Sequence, residues 1–250
     1  MTWPSGSELV LLFLLAGWAA ADTTAAFQIM VGQPLVMGWL SGCVVGLPGL
    51  GLFMGAALQL LWSRLAPVGV SAYPDVGPAT VAGVTVASTI ASQTAWAFSV
   101  AEPFPPGEAT LACLAGFLVA LASGRWGQTL TEMLRRDNAR LAYAADRAAA
   151  AGSFAGVERE NWIGVARSFA RGGVLWVGSL LAFSLLAWLA GALSPGPPAG
   201  SVPRLTNPGP ILFWWFGIAA LCSVLWRGGR RDAAFTIGGA AAGLLLGRIL

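Results

Sequence analysis

The chain alternates long apolar runs with short polar links. The runs fall at about 8–21, 34–47, 49–62, 79–100, 108–123, 172–193, 210–226 and 233–250. A helix that crosses a bilayer needs roughly 20 apolar residues. By that measure 79–100 and 172–193 are full spans, and 210–226 approaches one. The runs 34–47 and 49–62 are shorter, and "GLPGLG" joins them, with Pro48 and glycines that interrupt a helix. Two readings fit this pair. They are broken or re-entrant helices of the kind that line transport sites, or two tilted short spans around a tight turn.

A single long polar tract covers 124–171. Within it Leu130, Met133, Leu134, Leu141 and Ala145 recur at helical spacing, which predicts an amphipathic helix ending near Gly152. Arginines outnumber acids there, from Arg125 to Arg171, and basic excess in a loop marks the cytoplasmic side. The link "AEPFPPGE" carries only acids and is expected outside, as is the Pro/Gly/Ser-rich link 194–209. That threading puts "RGGRR" at 227–231 inside, and the N-terminus outside if both short runs cross. The expected fold is an all-α membrane protein, a polytopic helical bundle with broken or re-entrant helices and an amphipathic cytoplasmic-side insert. It is read as one domain over 1–250, with N-terminal helices in 1–123, the linker 124–171, and C-terminal helices in 172–250.

Composition sharpens this picture. Of 250 residues, 56% are hydrophobic and 10% charged, with a mean hydropathy of +0.71; a soluble domain carries roughly a quarter charged residues. The net charge of +3 is too small and local for a nucleic-acid partner. There is no His and no Lys. The first absence removes the commonest general base, and the second removes any P-loop. No catalytic residue, cofactor or metal site is therefore expected. Cys43, Cys113 and Cys222 lie far apart within apolar runs and read as small core residues. "ELVLLFLLAGWAAAD" looks like a signal peptide, yet Glu8 stands where its positive region belongs, so it is read as a retained membrane segment. Trp126, Trp162, Trp176, Trp188, Trp214 and Trp215 lie near run ends and fit interfacial belts. The glycines inside apolar runs read as close-packing positions.

The polar side chains near membrane depth are few: Asp22, Gln28, Gln33, Gln59, Asp75 and Gln93. A carboxylate at the bilayer centre costs roughly 2.5–3.5 kcal/mol on insertion scales, so one found there faces a pathway or a partner. Asp75 has an equally good second reading, as the cap of a helix starting near Ala79.

These residues carry a resemblance. Asp22, Phe27-Gln28, Gln33-Pro34, "MGAALQLL" with Gln59, "PVG" at 67–69 and Pro74-Asp75 follow one another in order. A second stretch, "LAYAADRAAAAGSFAGV" at 141–157, adds Asp146, Arg147 and Gly152. The ordered set resembles the IIC membrane subunit of the mannose-family (mannose/fructose/sorbose) sugar phosphotransferase system. The resemblance implies a permease subunit that pairs with a IID-type membrane subunit, as a trimer of IIC–IID pairs in the bacterial inner membrane. Such a subunit moves a hexose while IIA and IIB proteins supply the phosphoryl group, which agrees with a chain lacking His. A hexose is held by amides, carboxylates and an aromatic platform. Gln28, Gln59, Ser71, Tyr73 and Asp75 supply those groups and are the expected substrate-binding residues. Three positions depart from the family pattern: Gln59 replaces a Glu, Pro67 an Asn and Gln33 a basic residue. Two other readings accompany this one, a IIC-like assembly or regulatory partner without transport, and a proton-coupled secondary transporter working through Asp75.

Overall fold

The structure, a computed structural model, describes residues 3–63, 73–91 and 107–193. Ser71, Gln93, the "PVG" step, Cys222 and the runs 210–226 and 233–250 lie outside the described residues, as does most of the acidic link. Six α-helices, and no strand, make up the described residues: α1 Gly6–Thr24, α2 Pro34–Val44, α3 Pro48–Trp62, α4 Val76–Ala91, α5 Gly107–Ala150 and α6 Phe154–Leu193. α1 begins with a capping box, in which Ser5 Oγ accepts from Glu8 N and Glu8 Oε2 accepts from Ser5 N. α1 and the segment Phe154–Leu189 are long and apolar enough to cross a membrane, whereas α2, α3 and α4 are shorter apolar helices.

α2 and α3 form a helical hairpin. Eleven residues of α2 rise only about 16 Å, half of a bilayer's hydrocarbon thickness. Gly46, at φ +71°, turns the chain, and Pro48 opens α3. Gly38 and Gly42 on α2 meet Gly51 and Gly55 on α3 backbone to backbone. A Cβ on Gly42 would lie 2.9 Å from Gly51 Cα, and one on Gly55 would lie 2.6 Å from Pro34 O. This is small-residue packing, which lets two helices approach without a thick side-chain layer. The glycine reading therefore holds at these positions.

α4 is the centre of the bundle. Every residue of it except Ile90 is buried, because one side packs with α3 and α5 and the other with α1, α2 and α6. Its hydroxyls are satisfied within the bundle: Thr80 Oγ1 donates to Val76 O, and Thr85 Oγ1 donates to Val81 O while accepting from Trp176 Nε1 at 3.1 Å. Trp176 is thus an interior residue, because its face of α6 meets α4, and the interfacial assignment does not hold for it. Trp126, Trp162 and Trp188 are exposed. Cys113 is a core residue, but Cys43 is exposed. It lies one and two turns beyond Trp39 and Leu35 on the outer face of α2, both of them exposed.

α5 and α6 are 44 and 40 residues long, about 66 and 60 Å of helix, or twice the hydrocarbon thickness. Their mutually adjacent polar halves form a helical hairpin that extends past the apolar bundle. Gly152, at φ +71°, closes α5: its N–H donates to Ala149 O, and Ser153 N donates to Ala148 O. That is a Schellman cap. Ser153 Oγ then accepts from Gly156 N to start α6.

Candidate functional site

The candidate residues lie in three adjoining pieces. The first is the link between α1 and α2. Three non-glycine residues there, Phe27, Gln28 and Met30, hold φ at +69°, +49° and +64°, a region costing of order 1–3 kcal/mol each outside glycine. Asp22 stabilises that shape. Its carboxylate, 3% exposed, accepts from Ile29 N and Gly32 N, both at 2.9 Å. Gly32 fits because a Cβ there would lie 2.8 Å from Ala19 O. Gln28 is held exposed on this loop, its own N–H donating to Ala26 O.

The second piece joins the loop to the hairpin. Gln59, near the end of α3, donates through Nε2 to Gln33 Oε1 at 3.1 Å and accepts from Leu35 N at 3.4 Å. Both amides are half-buried. Among the described residues, the Gln33 NH₂ and the second N–H of Gln59 make no further hydrogen bond.

The third piece is a buried ion pair. Asp75 stands immediately before α4, where a cap would stand, and its carbonyl accepts from Ala79 N. Its carboxylate reaches Arg171 of α6, Oδ2 to Nε at 3.0 Å, with the two side chains 3% and 5% exposed. The approach is close but off-axis, and neither of those two atoms completes a hydrogen bond. Charge, not a directed hydrogen bond, holds this contact. Arg171 also donates from Nη2 to Ala20 O at 3.2 Å, tying α6 to α1. Gly127 of α5 seals the other side of Asp75, since a Cβ there would lie 2.5 Å from Asp75 Cβ. A buried partner was one of the readings open to Asp75 from the sequence, and Arg171 is the residue that fills it.

Tyr73, half-buried, lines a cavity of about 540 Å³ together with Arg171 and residues of α1, α5 and α6. Gln28, Gln59 and Asp75 are not among its lining residues. Of the expected sugar-binding residues, then, Gln59 sits with Gln33, Gln28 lies on the neighbouring loop, and Asp75 sits beside Arg171 and Tyr73. Ser71 lies outside the described residues. Sequence reasoning assigned Arg171 to a solvated basic tract. The available signal was its position at the border of the 172–193 run, where a charge either reaches for water or finds a buried partner.

Three comparisons bear on this arrangement. Residues 7–229 match the family described as the PTS system sorbose-specific IIC component. An Escherichia coli chain provisionally named N-acetylgalactosamine permease IIC component 2 is 36% identical over 72 residues, 29% of this chain and 54% of that relative. That match spans about half of the relative's length. The fold is similar to a chain in the cryo-EM structure of the mannose transporter ManYZ with a microcin. The TM-score is 0.56 at 17% identity, covering 98% of this chain and 96% of the other. An all-helical bundle with membrane-length apolar helices and a family match over most of its length is a polytopic membrane protein. The chain belongs to the mannose-family IIC permease components of the sugar phosphotransferase system.

Proposed function

We propose that this chain is the sugar-translocating IIC subunit of a mannose-family phosphotransferase system in the bacterial inner membrane. It works with a IID-type subunit, as a trimer of IIC–IID pairs, and leaves phosphoryl chemistry to IIA and IIB proteins. The chain itself is non-catalytic, the polar part of its α5–α6 hairpin, residues 124–171, lies on the cytoplasmic side, and its substrate is a hexose-type sugar. Gln28, Gln59 and Ser71 contact that sugar, whereas Asp75, closed in by Arg171 and Gly127, holds the helices around it and Tyr73 lines the cavity beside Arg171.

The observation that carries this reading is the Gln33–Gln59 amide pair. It joins the loop bearing Gln28 to the α2–α3 hairpin, and it retains amide N–H groups able to donate to sugar hydroxyls. The test is uptake in proteoliposomes holding this chain, a IID partner and the phosphoryl carriers, over a panel that includes mannose, sorbose and N-acetylgalactosamine. Gln59→Leu is the informative variant, because removing Asp75 would also strand a buried guanidinium. Gln59→Leu should lower uptake at least tenfold while the complex still assembles; undiminished uptake would refute the site. Uptake by this chain alone, driven by a pH gradient, would instead establish the proton-coupled reading.

A further inference from the structure

The cavity beside Arg171 has a chemistry of its own. It measures about 540 Å³, within the range of pockets that enclose small molecules. It lies where the end of α1, the entry to α4 and the polar stretches of α5 and α6 meet, lined by Tyr73, Thr131, Asn138, Glu160, Ser168 and Arg171 among others. Three buried polar atoms on these residues lack a hydrogen-bond partner; Arg171 Nε faces Asp75, which leaves Arg171 Nη1 and Asn138 Oδ1. Arg171 is only 7% exposed. Folded proteins rarely leave such atoms unpaired, and each one calls for a missing partner.

The two orphans differ in kind, one a donor and the other an acceptor. An ionised phosphate only accepts, so it would leave the Asn138 carbonyl unmet. A hydroxyl gives and accepts, so neighbouring hydroxyls on one ligand meet both. With the amide O and N of Asn138 exchanged the orphan is a donor, which a hydroxyl still meets, and discrimination against phosphate then rests on Glu160. The buried carboxylate of Glu160, paired with Arg159 at 2.8 Å, accepts from hydroxyls and repels phosphate. Asp75 already balances the charge of Arg171, and Arg135, the other cation of the lining, is exposed and has a partner of its own. Tyr73 adds an aromatic ring, the surface on which a sugar's C–H face packs.

We infer that this cavity is a second sugar site, for a neutral, hydroxyl-rich ligand of monosaccharide size, separate from the Gln33–Gln59 amides. The inference rests on the reading of the chain as a sugar permease and adds a binding station between its helical core and the polar α5–α6 hairpin.

The test uses the full chain in lipid nanodiscs with its IID partner. Binding of neutral hexoses, N-acetylhexosamines and their 6-phosphates is measured by calorimetry. Asn138→Leu should weaken the preferred neutral sugar at least tenfold without lowering the melting temperature. Independently, Val165→Cys, at a lining residue that offers the ligand no hydrogen bond, is labelled with maleimide in a Cys43→Ser background, with labelling at 165 read by peptide mass spectrometry. The neutral sugar should slow that labelling at least fivefold, and more than its 6-phosphate does. If the wild-type complex binds sugar while labelling stays unprotected, the cavity is not a sugar site and the permease reading stands. Stronger protection by the 6-phosphate would overturn the neutral-ligand inference in favour of an anion site. If no sugar binds the wild-type complex, the permease reading itself fails, and this inference with it. Should Asn138→Leu fail to fold, the labelling result decides alone.

Discussion

Removing the charge of Asp75 should damage this protein more than removing the whole ion pair. Both side chains are nearly inaccessible, 3% exposed for Asp75 and 5% for Arg171, so each is the other's buried counter-ion. Asp75→Asn keeps volume and shape, which matters because Gly127 leaves no spare room at Cβ. It leaves a guanidinium buried with the Ala20 carbonyl as its hydrogen-bond partner. Breaking one side of a buried pair costs about 3–5 kcal/mol. Arg171→Met strands the carboxylate at a similar cost of about 3–5 kcal/mol, and it also removes the hydrogen bond from α6 to Ala20 of α1. The double variant Asp75→Asn/Arg171→Met removes both charges. Replacing a whole buried pair by uncharged groups of similar volume is roughly neutral, or stabilising by about 1–4 kcal/mol. The double variant should therefore be more stable than either single one, with an interaction energy of several kcal/mol. The assay is unfolding of the purified chain across a denaturing-detergent titration, run as a double-mutant cycle. A double variant whose loss equals the sum of the two single losses would show that the charges do not depend on each other, and would refute the reasoning.

Three more outcomes follow from particular contacts. Asp22→Ala removes the acceptor of two backbone N–H groups, at about 1.5–3 kcal/mol each for charge-assisted bonds; hydrogen exchange at Ile29 and Gly32 should speed up sharply while that of α4 stays slow. Gly42→Leu forces side-chain atoms against Leu47 O and Gly51 Cα and should cost about 1–3 kcal/mol by overpacking. The same change at Gly6, where a Cβ meets nothing within 4 Å, should leave the melting temperature within a degree or two of wild type. Gln33→Arg with Gln59→Glu should show a favourable interaction energy of roughly 0.5–1 kcal/mol in a stability cycle, and strict additivity would mean that the two side chains do not meet.

Local signals in the sequence were strong where one stretch of chain decides the outcome. Ser5 three residues before Glu8 is a capping box on paper and in the fold. Gly152 ends a helix because the Schellman turn needs its positive φ, and Gly46 between two apolar runs marks the hairpin for the same reason. Glycines four apart on both α2 and α3 also announced close helix contact. Tertiary facts were not legible in this way. Arg171 belongs by composition to a basic, water-facing tract, and only the docking of α6 on α1 and α4 shows that it faces inward. Trp176 has the amphipathic character of an interfacial residue, yet its N–H finds Thr85 in the core. Cys43 is exposed because a short hairpin helix has an outer face even when every residue on it is apolar. Periodicity told where helices lie, but not which neighbour each face meets.

The departures from the family pattern also change meaning once placed in space. Read along the chain, Gln33 for a basic residue and Gln59 for a Glu are two separate losses of charge. In the fold they touch, Nε2 to Oε1 at 3.1 Å. A base and an acid at this distance would be a charge pair, and two glutamines in the same places form the uncharged counterpart of that pair. Either alone would leave a charge facing an amide; together they keep the link between the α1–α2 loop and α3 and remove both charges. A neutral amide pair has N–H groups to spare for ligand hydroxyls, whereas a bidentate ion pair directs its donors and acceptors to itself. Under the proposed sugar site, such N–H groups would favour a neutral sugar read by hydrogen bonds over a charged one.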